Sequence, residues 1–270
     1  MSNTFSFDQV TRPTTVDAQA LCFTVPDDWL QGRSTYGGLQ AAFALLAMRQ
    51  LTGVAAPLRV LQTTFVAPVA GGEVTVTART LRAGKSVTHV EARLMQGDDT
   101  LCLVIGIFGA PRESLIQVPI AVRAAPQGPD GLRDLPFARG IAPNFTQHFA
   151  WRWAEGGWPY SGHSDSFTRI WLRHRAPTGA GAFEAEAAFV GLADAVPSPA
   201  LSMMKTPKAS SSLTWTLELL RDVPPQGDEF WRIDSDIHQA RDGYVAQTAV
   251  VIAPDNQPVA LSRQAVVVFG

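Results

Sequence analysis

Two stretches decide how this chain is built: Gly84-Lys-Ser-Val-Thr-His-Val-Glu-Ala-Arg-Leu-Met-Gln-Gly-Asp-Asp99 and Gly243-Tyr-Val-Ala-Gln-Thr-Ala-Val-Val-Ile-Ala-Pro-Asp-Asn256. Each is a β-like run that closes on a tight-turn signal. Each is followed by a second run that ends in Phe-Gly, at Phe108-Gly109 and at Phe269-Gly270. Turn residues between two such runs mark a hairpin, so the chain closes twice in the same way. Matching the two Phe-Gly ends gives an internal duplication, and it lays Gln264 over Leu103.

The duplication extends backwards from both ends. In the first half a short strand at 20–24 leads through Pro26-Asp-Asp-Trp29 and a polar loop to Tyr36-Gly37-Gly38. Residues 39–51 then run Ala/Leu-rich without a breaker and stop at Thr52-Gly53, which predicts a helix with its stop signal in place. Strands are predicted at 58–68, 73–81, 86–95 and 100–108, separated by short Gly-containing turns. In the second half, strands at 145–153 and 166–173 precede an Ala-rich helix at 182–195, ended by Pro197 and Pro199. Four further strands follow at 211–221, 230–239, 244–252 and 258–269. Between the halves, Pro111, Pro119, Pro126, Pro129, Pro136 and Pro143 break any pattern, as in a linker. Leu115, Ile116, Val118 and Ile120 are expected to hold that linker against the surface.

The expected architecture is α+β, in two tandem helix-plus-antiparallel-meander halves. The N-terminal half spans 1–110, a Pro-rich linker 111–143 and the C-terminal half 144–270. Each helix is wrapped by its own curved sheet, and the strands pair edge to edge into one continuous sheet around two central helices. That pairing covers edges that would otherwise be exposed.

Composition narrows the function. The chain of 270 residues is 46% hydrophobic and only 17% charged, which suits a large core and a buried subunit interface, so a homo-oligomer (dimer or tetramer) is expected. The net charge of -2, without a Lys/Arg block, argues against a nucleic-acid partner. The N-terminal stretch lacks a basic start with an apolar run, and no segment approaches the roughly 20 apolar residues of a membrane span; a cytoplasmic protein with no membrane partner is expected. Cys22 and Cys102 sit among apolar neighbours without a CxxC partner and read as buried thiols. The 5 histidines never fall at metal-ligand spacing, so neither metal nor cofactor is expected. GxSxG, GxGxxG, GxxxxGK[ST] and HExxH are all missing. Gly162-His-Ser-Asp-Ser166 has Ser where a nucleophile elbow needs its last Gly.

What remains is a small set of polar residues where apolar ones are expected. Asp194 lies near the C-terminal end of an apolar helix, where desolvation and the helix dipole both disfavour its charge and raise its pKa, as a general base needs. The plainer reading is a surface residue that ends the helix. Gln264 interrupts the last strand; its amide both donates and accepts, so it orients a water or a carbonyl, or else lies on an exposed strand face. Ser212 and Thr214, in Ser210-Ser-Ser-Leu-Thr-Trp-Thr216, offer a hydroxyl at a strand start, although such clusters are commonly turns.

In the order and spacing of these motifs the chain resembles the acyl-CoA thioesterase II family and its thioesterase-like relatives, which are double hot-dog proteins. The resemblance lies in Tyr36-Gly-Gly-Leu-Gln40, in Thr64-Phe-Val-Ala-Pro-Val69 before a Gly-Gly turn and in Leu81-Arg-Ala-Gly-Lys-Ser86. It continues in Leu192-Ala-Asp-Ala-Val-Pro197, in Ser212-Leu-Thr-Trp-Thr-Leu followed by Arg221, and in Leu261-Ser-Arg-Gln264. It implies hydrolysis of an acyl-CoA by a water held by Asp194, Ser212 and Gln264, with Ser212 standing where the family has Thr and Thr214 as the substitute hydroxyl. It also implies that Tyr36, Gly37 and Gly38 open a helix whose backbone N–H groups meet the substrate, with Gly179-Ala-Gly-Ala182 as the duplicate helix start. Two other functions stay open on the same scaffold: a non-catalytic acyl-CoA or lipid-binding protein, and a hydratase or dehydratase.

Overall fold

The computed structural model describes residues 4–179 and 181–269. Residues 1–3, Ala180 of the second helix start and Gly270 of the repeat lie outside the described residues. Two long helices form the centre. The first, α1 (Gly37–Thr52), begins two residues before the predicted run, because Gly37 and Gly38 join its first turn, and it ends at Gly53 with φ 67. That left-handed position suits glycine. The second, α2 (Ala182–Ala193), ends with Asp194 as its C-cap, two residues short of the predicted end. Both are buried on almost every side, which is why neither carries the polar stripe of a surface helix.

The helices meet closely at Gly38, which has no side chain to interpose. A Cβ on Gly38 would lie 2.6 Å from the Gly191 carbonyl oxygen. The Tyr36 hydroxyl donates to that same carbonyl at 3.1 Å. At the other end of the pair, Arg49 donates to both carboxylate oxygens of Glu186 at 2.8 Å. Arg49 also donates to the Val54 and Ala56 carbonyls at 2.8 and 2.6 Å. Burial raises the Glu186 pKa and the Arg49 charge pulls it back.

Among the described residues, twelve strands form one antiparallel sheet around this pair. They are β1 (Thr15–Val16), β2 (Ala20–Val25), β3 (Leu58–Phe65), β4 (Gly72–Ala83), β5 (Val87–Gln96), β6 (Asp99–Gly109), β7 (Phe149–Glu155), β8 (Phe167–His174), β9 (Ser210–Leu219), β10 (Trp231–Arg241), β11 (Tyr244–Ile252) and β12 (Pro258–Val268). Their order is β1-β2-β4-β5-β6-β3-β9-β12-β11-β10-β8-β7. The halves are mirrored about β3 and β9, which pair antiparallel with Leu61 opposite Leu217 and Thr64 opposite Thr214. Val76, Val90, Val104, Trp215, Leu217 and Ile233 present the buried inner face to the helices. This is the α+β double hot-dog arrangement. No helix among the described residues is long and apolar enough to cross a membrane. Both cysteines are free thiols, and burial pushes the Cys102 pKa up.

Three expectations are corrected. Residues 145–148 belong to a 3-10 turn (Asn144–His148), so the strand there starts at Phe149. Leu103 is not the counterpart of Gln264: Cys102 and Val104 point into the core while Leu103 is half-buried on the opposite face. The Phe-Gly ends mislead because Phe108 is buried and Phe269 is 56% exposed, so overlaying them superposes opposite sheet faces, and a slip of one residue inverts every side chain. In the linker, Leu115, Ile116 and Val118 are exposed. The segment is held instead by Ala125 and Leu132 against Ala150, Trp171 and Phe230, and by Leu135 against the main core. Arg152 fastens it further, donating to Asp134 at 2.6 Å and to the Pro129 carbonyl at 3.0 Å.

Removing one partner of a buried ion pair strands the other charge, whereas replacing both with apolar groups does not. Glu186→Ala is therefore expected to cost about 3–5 kcal/mol in urea melts. The double change Arg49→Met, Glu186→Leu is expected to cost less than either single loss.

Candidate active site

The two helices run antiparallel, so the C-terminal end of α2 abuts the N-terminal end of α1, and Asp194 sits at that meeting. Its backbone closes α2 at φ -100, ψ -1, and its carboxylate lies so close to α1 that a Cβ on Gly37 would come within 2.7 Å of Oδ2. The Gln264 amide Nε2 donates to Oδ1 at 2.5 Å. Burial pushes the Asp194 pKa up to about 7, with the Gln264 amide and the Gly38 N–H pulling it down. Both helix ends bear on the group: α2 presents negative carbonyls and α1 positive N–H groups, so desolvation leads. Asp194 is half-buried and lines the cavity beside it. A carboxyl group poised near neutrality and open to a cavity can take up and return a proton.

That cavity has a volume of about 360 Å³ and is lined by Gly37, Gln40, Phe65, Asp194, Ser212 and Gln264 together with Arg33 and Ser198. Of the residues singled out in the sequence, Asp194, Ser212, Gln264 and Gly37 come together here. Thr214 does not. Its register partners are Thr64 and Ala265, whereas Ser212 sits opposite Val266 and Trp215 opposite Gln264. A β-bulge between Ser212 and Thr214 accounts for this. Strict alternation outward from buried Trp215 would turn position 212 away from the core, and the extra residue Leu213 restores it to the inner face.

Tyr36 and Gly38 also take different parts from the ones expected of a substrate-binding helix start. The Tyr36 ring is buried, stacked 4.3 Å from Phe145, with its hydroxyl on Gly191, and it does not line the cavity. Burial, then the nearby Asp194 charge, hold its pKa well above the ordinary value, so it stays neutral. The Gly38 N–H is turned to Asp194. Of the three residues, Gly37 alone faces the cavity. At the duplicate helix start the carboxylate comes from elsewhere in the chain: the Gly179 N–H donates to Asp8 at 2.9 Å.

Three residues escaped the sequence reading. Gln40 is 3% exposed; its Nε2 donates to the Thr35 carbonyl at 2.6 Å, and its Oε1 has no hydrogen-bond partner among the described residues. Gln247 is buried directly opposite Gln264 in the β11–β12 ladder, and donates to Gln264 Oε1 at 2.9 Å. The Ser198 hydroxyl donates in turn to Gln247 Oε1. A signal existed for the first: a glutamine in the opening turn of an otherwise apolar helix. Gln247 gave one only in hindsight of face, being the polar member of the inward set with Val245 and Val251. No group of three or more His, Cys, Asp or Glu side chains is placed to hold a metal among the described residues.

The family described as acyl-CoA thioesterase C-terminal domain matches residues 126–268, and that described as acyl-CoA thioesterase N-terminal domain matches residues 25–109. No curated protein matches the chain. Among solved structures, a conserved protein of unknown function with a hot dog fold from Alicyclobacillus acidocaldarius is 21% identical, covers 99% of each chain and superposes with a TM-score of 0.87. A putative thioesterase II from Thermobifida fusca YX is 17% identical over 100% of both chains, TM-score 0.78. The acyl-CoA thioesterase II TesB2 of Mycobacterium marinum is 15% identical over 98% of both, TM-score 0.78. These likenesses establish the fold.

The Asp194 carboxyl carries a stability signature with a definite sign. Its folded pKa of about 7 lies above the ordinary carboxylate value, so the folded state holds a proton that the unfolded chain releases, and stability falls as pH rises from about 4 through 7. Asp194→Asn is thus expected to stabilise the protein by roughly 2–4 kcal/mol at about pH 8, with the gain vanishing toward about pH 4. Urea melts across that range measure it.

Proposed function

Because the chain belongs to the acyl-CoA thioesterase family, we propose that it hydrolyses an acyl-CoA to the free acid and CoA using a water that Asp194 deprotonates. The observation that carries this reading is a carboxyl raised to about 7, hydrogen-bonded to an amide and open to a cavity that Ser212 shares. Gln264 and Ser212 hold the water. Asp194 takes its proton on Oδ2, since Oδ1 already accepts from Gln264, and the water oxygen bonds to the thioester carbonyl carbon. The negative charge then moves to the carbonyl oxygen, which the Gly37 N–H at the positive end of α1 stabilises. Collapse breaks the carbon–sulfur bond, and the proton returns from Asp194 to the departing CoA sulfur. No covalent intermediate with the protein is involved.

No histidine lines the cavity among the described residues, which speaks for hydrolysis over hydration or dehydration, where a His usually works beside the carboxylate. Asp194→Asn is expected to lower acyl-CoA hydrolysis by at least about a hundredfold, read by thiol release over short-, medium- and long-chain acyl-CoAs. Ser212→Ala is expected to cost roughly tenfold, while Thr214→Ala leaves the rate at the parent's level. The rate rises with pH through about 7, as Asp194 becomes the base. Full activity in Asp194→Asn sinks the mechanism; tight binding without CoA release in the parent makes the protein a binder.

A further inference from the structure

Behind Gln264 the hydrogen bonds continue, and their polarity can be followed from one end to the other. The Ala200 backbone N–H, which can only donate, donates to Ser198 Oγ at 3.2 Å. The Ser198 hydroxyl, accepting there, donates its own proton to Gln247 Oε1. That leaves the Gln247 amide Nε2 facing Gln264 Oε1 at 2.9 Å, and the Gln264 Nε2 facing Asp194 Oδ1. An amide has one accepting and one donating end, so with the Ser198 proton on Gln247 Oε1 the Gln247 Nε2 is turned to Gln264, and the Gln264 Nε2 in turn to Asp194. The chain begins at a main-chain donor and ends at a carboxylate that can only accept.

We propose that Ser198 and Gln247 are positioning residues that lock the Gln264 amide with its N–H toward Asp194, so that the ionised carboxylate is favoured and its proton is directed to Oδ2. The inference rests on Asp194 being the base. Gln264 alone has no such preference, because a free amide can rotate and offer its oxygen, to which a protonated Asp194 would donate. Gln247 is 8% exposed and stands one strand away from the cavity, which it does not line. It therefore acts through Gln264 and not on substrate. The charged and titratable groups facing Asp194 are few. Tyr36, on the segment before α1, is held neutral, and Arg33 lines the same cavity. Glu186 of α2 is bound to Arg49 at the other end of the helix pair, and Arg263 of β12 is exposed. Neither β9 nor β11 turns a charged side chain to the site.

The test is the pH dependence of kcat in Gln247→Glu and Ser198→Ala, using the acyl-CoA that the parent turns over fastest. A carboxylate at 247 only accepts, so Gln264 turns its N–H away from Asp194 and its oxygen toward it. The acid limb is then expected to move up by about one pH unit, a loss of roughly tenfold in rate on that limb, with KM unchanged. Ser198→Ala frees Gln247 to rotate and is expected to move the limb in the same direction by less. A limb that stays at the parent's position in either folded variant overturns the inference; should Gln247→Glu fail to fold, Ser198→Ala decides alone. Asp194→Asn separates the two levels: if it is inactive while the limb does not move, only the positioning role fails. If it is fully active, the underlying mechanism fails.

Discussion

The close passage of the two central helices at Gly38 and Gly191 is the constraint on which the rest of the structure depends. With no side chain at Gly38, the end of one helix can press its last residue against the beginning of the other. Any side chain at Gly38 would force the helices apart by the thickness of a methyl group. The carboxylate of Asp194 would then stand in water instead of in a partly closed cavity, and the desolvation that raises its pKa to about 7 would be lost. The alanines that fill both helices serve the same end, since a large core wrapped by one sheet leaves room for two helices only if their facing sides are thin.

The sheet supplies what the helices lack. Its inner face is apolar along most of its length, and near the helix ends it turns polar through Ser212, Gln247 and Gln264. These come from three neighbouring strands in the order β9, β12, β11, so their side chains stand in adjacent rows. A buried polar group without a partner is costly, and here Ser198 donates to Gln247, Gln247 to Gln264 and Gln264 to Asp194, which keeps the two glutamines compatible with a folded core.

How far the sequence revealed this differs from residue to residue. The strands and helices were legible because glycine-containing turns and breaker-free apolar runs are local signals. Asp194 was legible as a charge at the end of an apolar helix. The choice between Ser212 and Thr214 was not, because a bulge is a property of pairing between strands and Leu213 looks like any other residue. The same blindness to face gave Leu103 as the counterpart of Gln264. Leu115, Ile116 and Val118 show a different limit: hydrophobicity does not say where a segment attaches, and the linker is fastened by Leu132, Leu135 and Arg152 instead.

The ion pair between Arg49 and Glu186 has a meaning beyond stability. Duplication with antiparallel helices creates two places where a helix end meets a helix beginning. One holds Asp194; at the other, near the end of α1 and the start of α2, Arg49 and Glu186 fill the space. The two ends of the helix pair thus carry different chemistry, a carboxyl beside a cavity at one and a closed ion pair at the other. On the proposed mechanism the stoichiometry of the chain is one reacting centre for two hot-dog units.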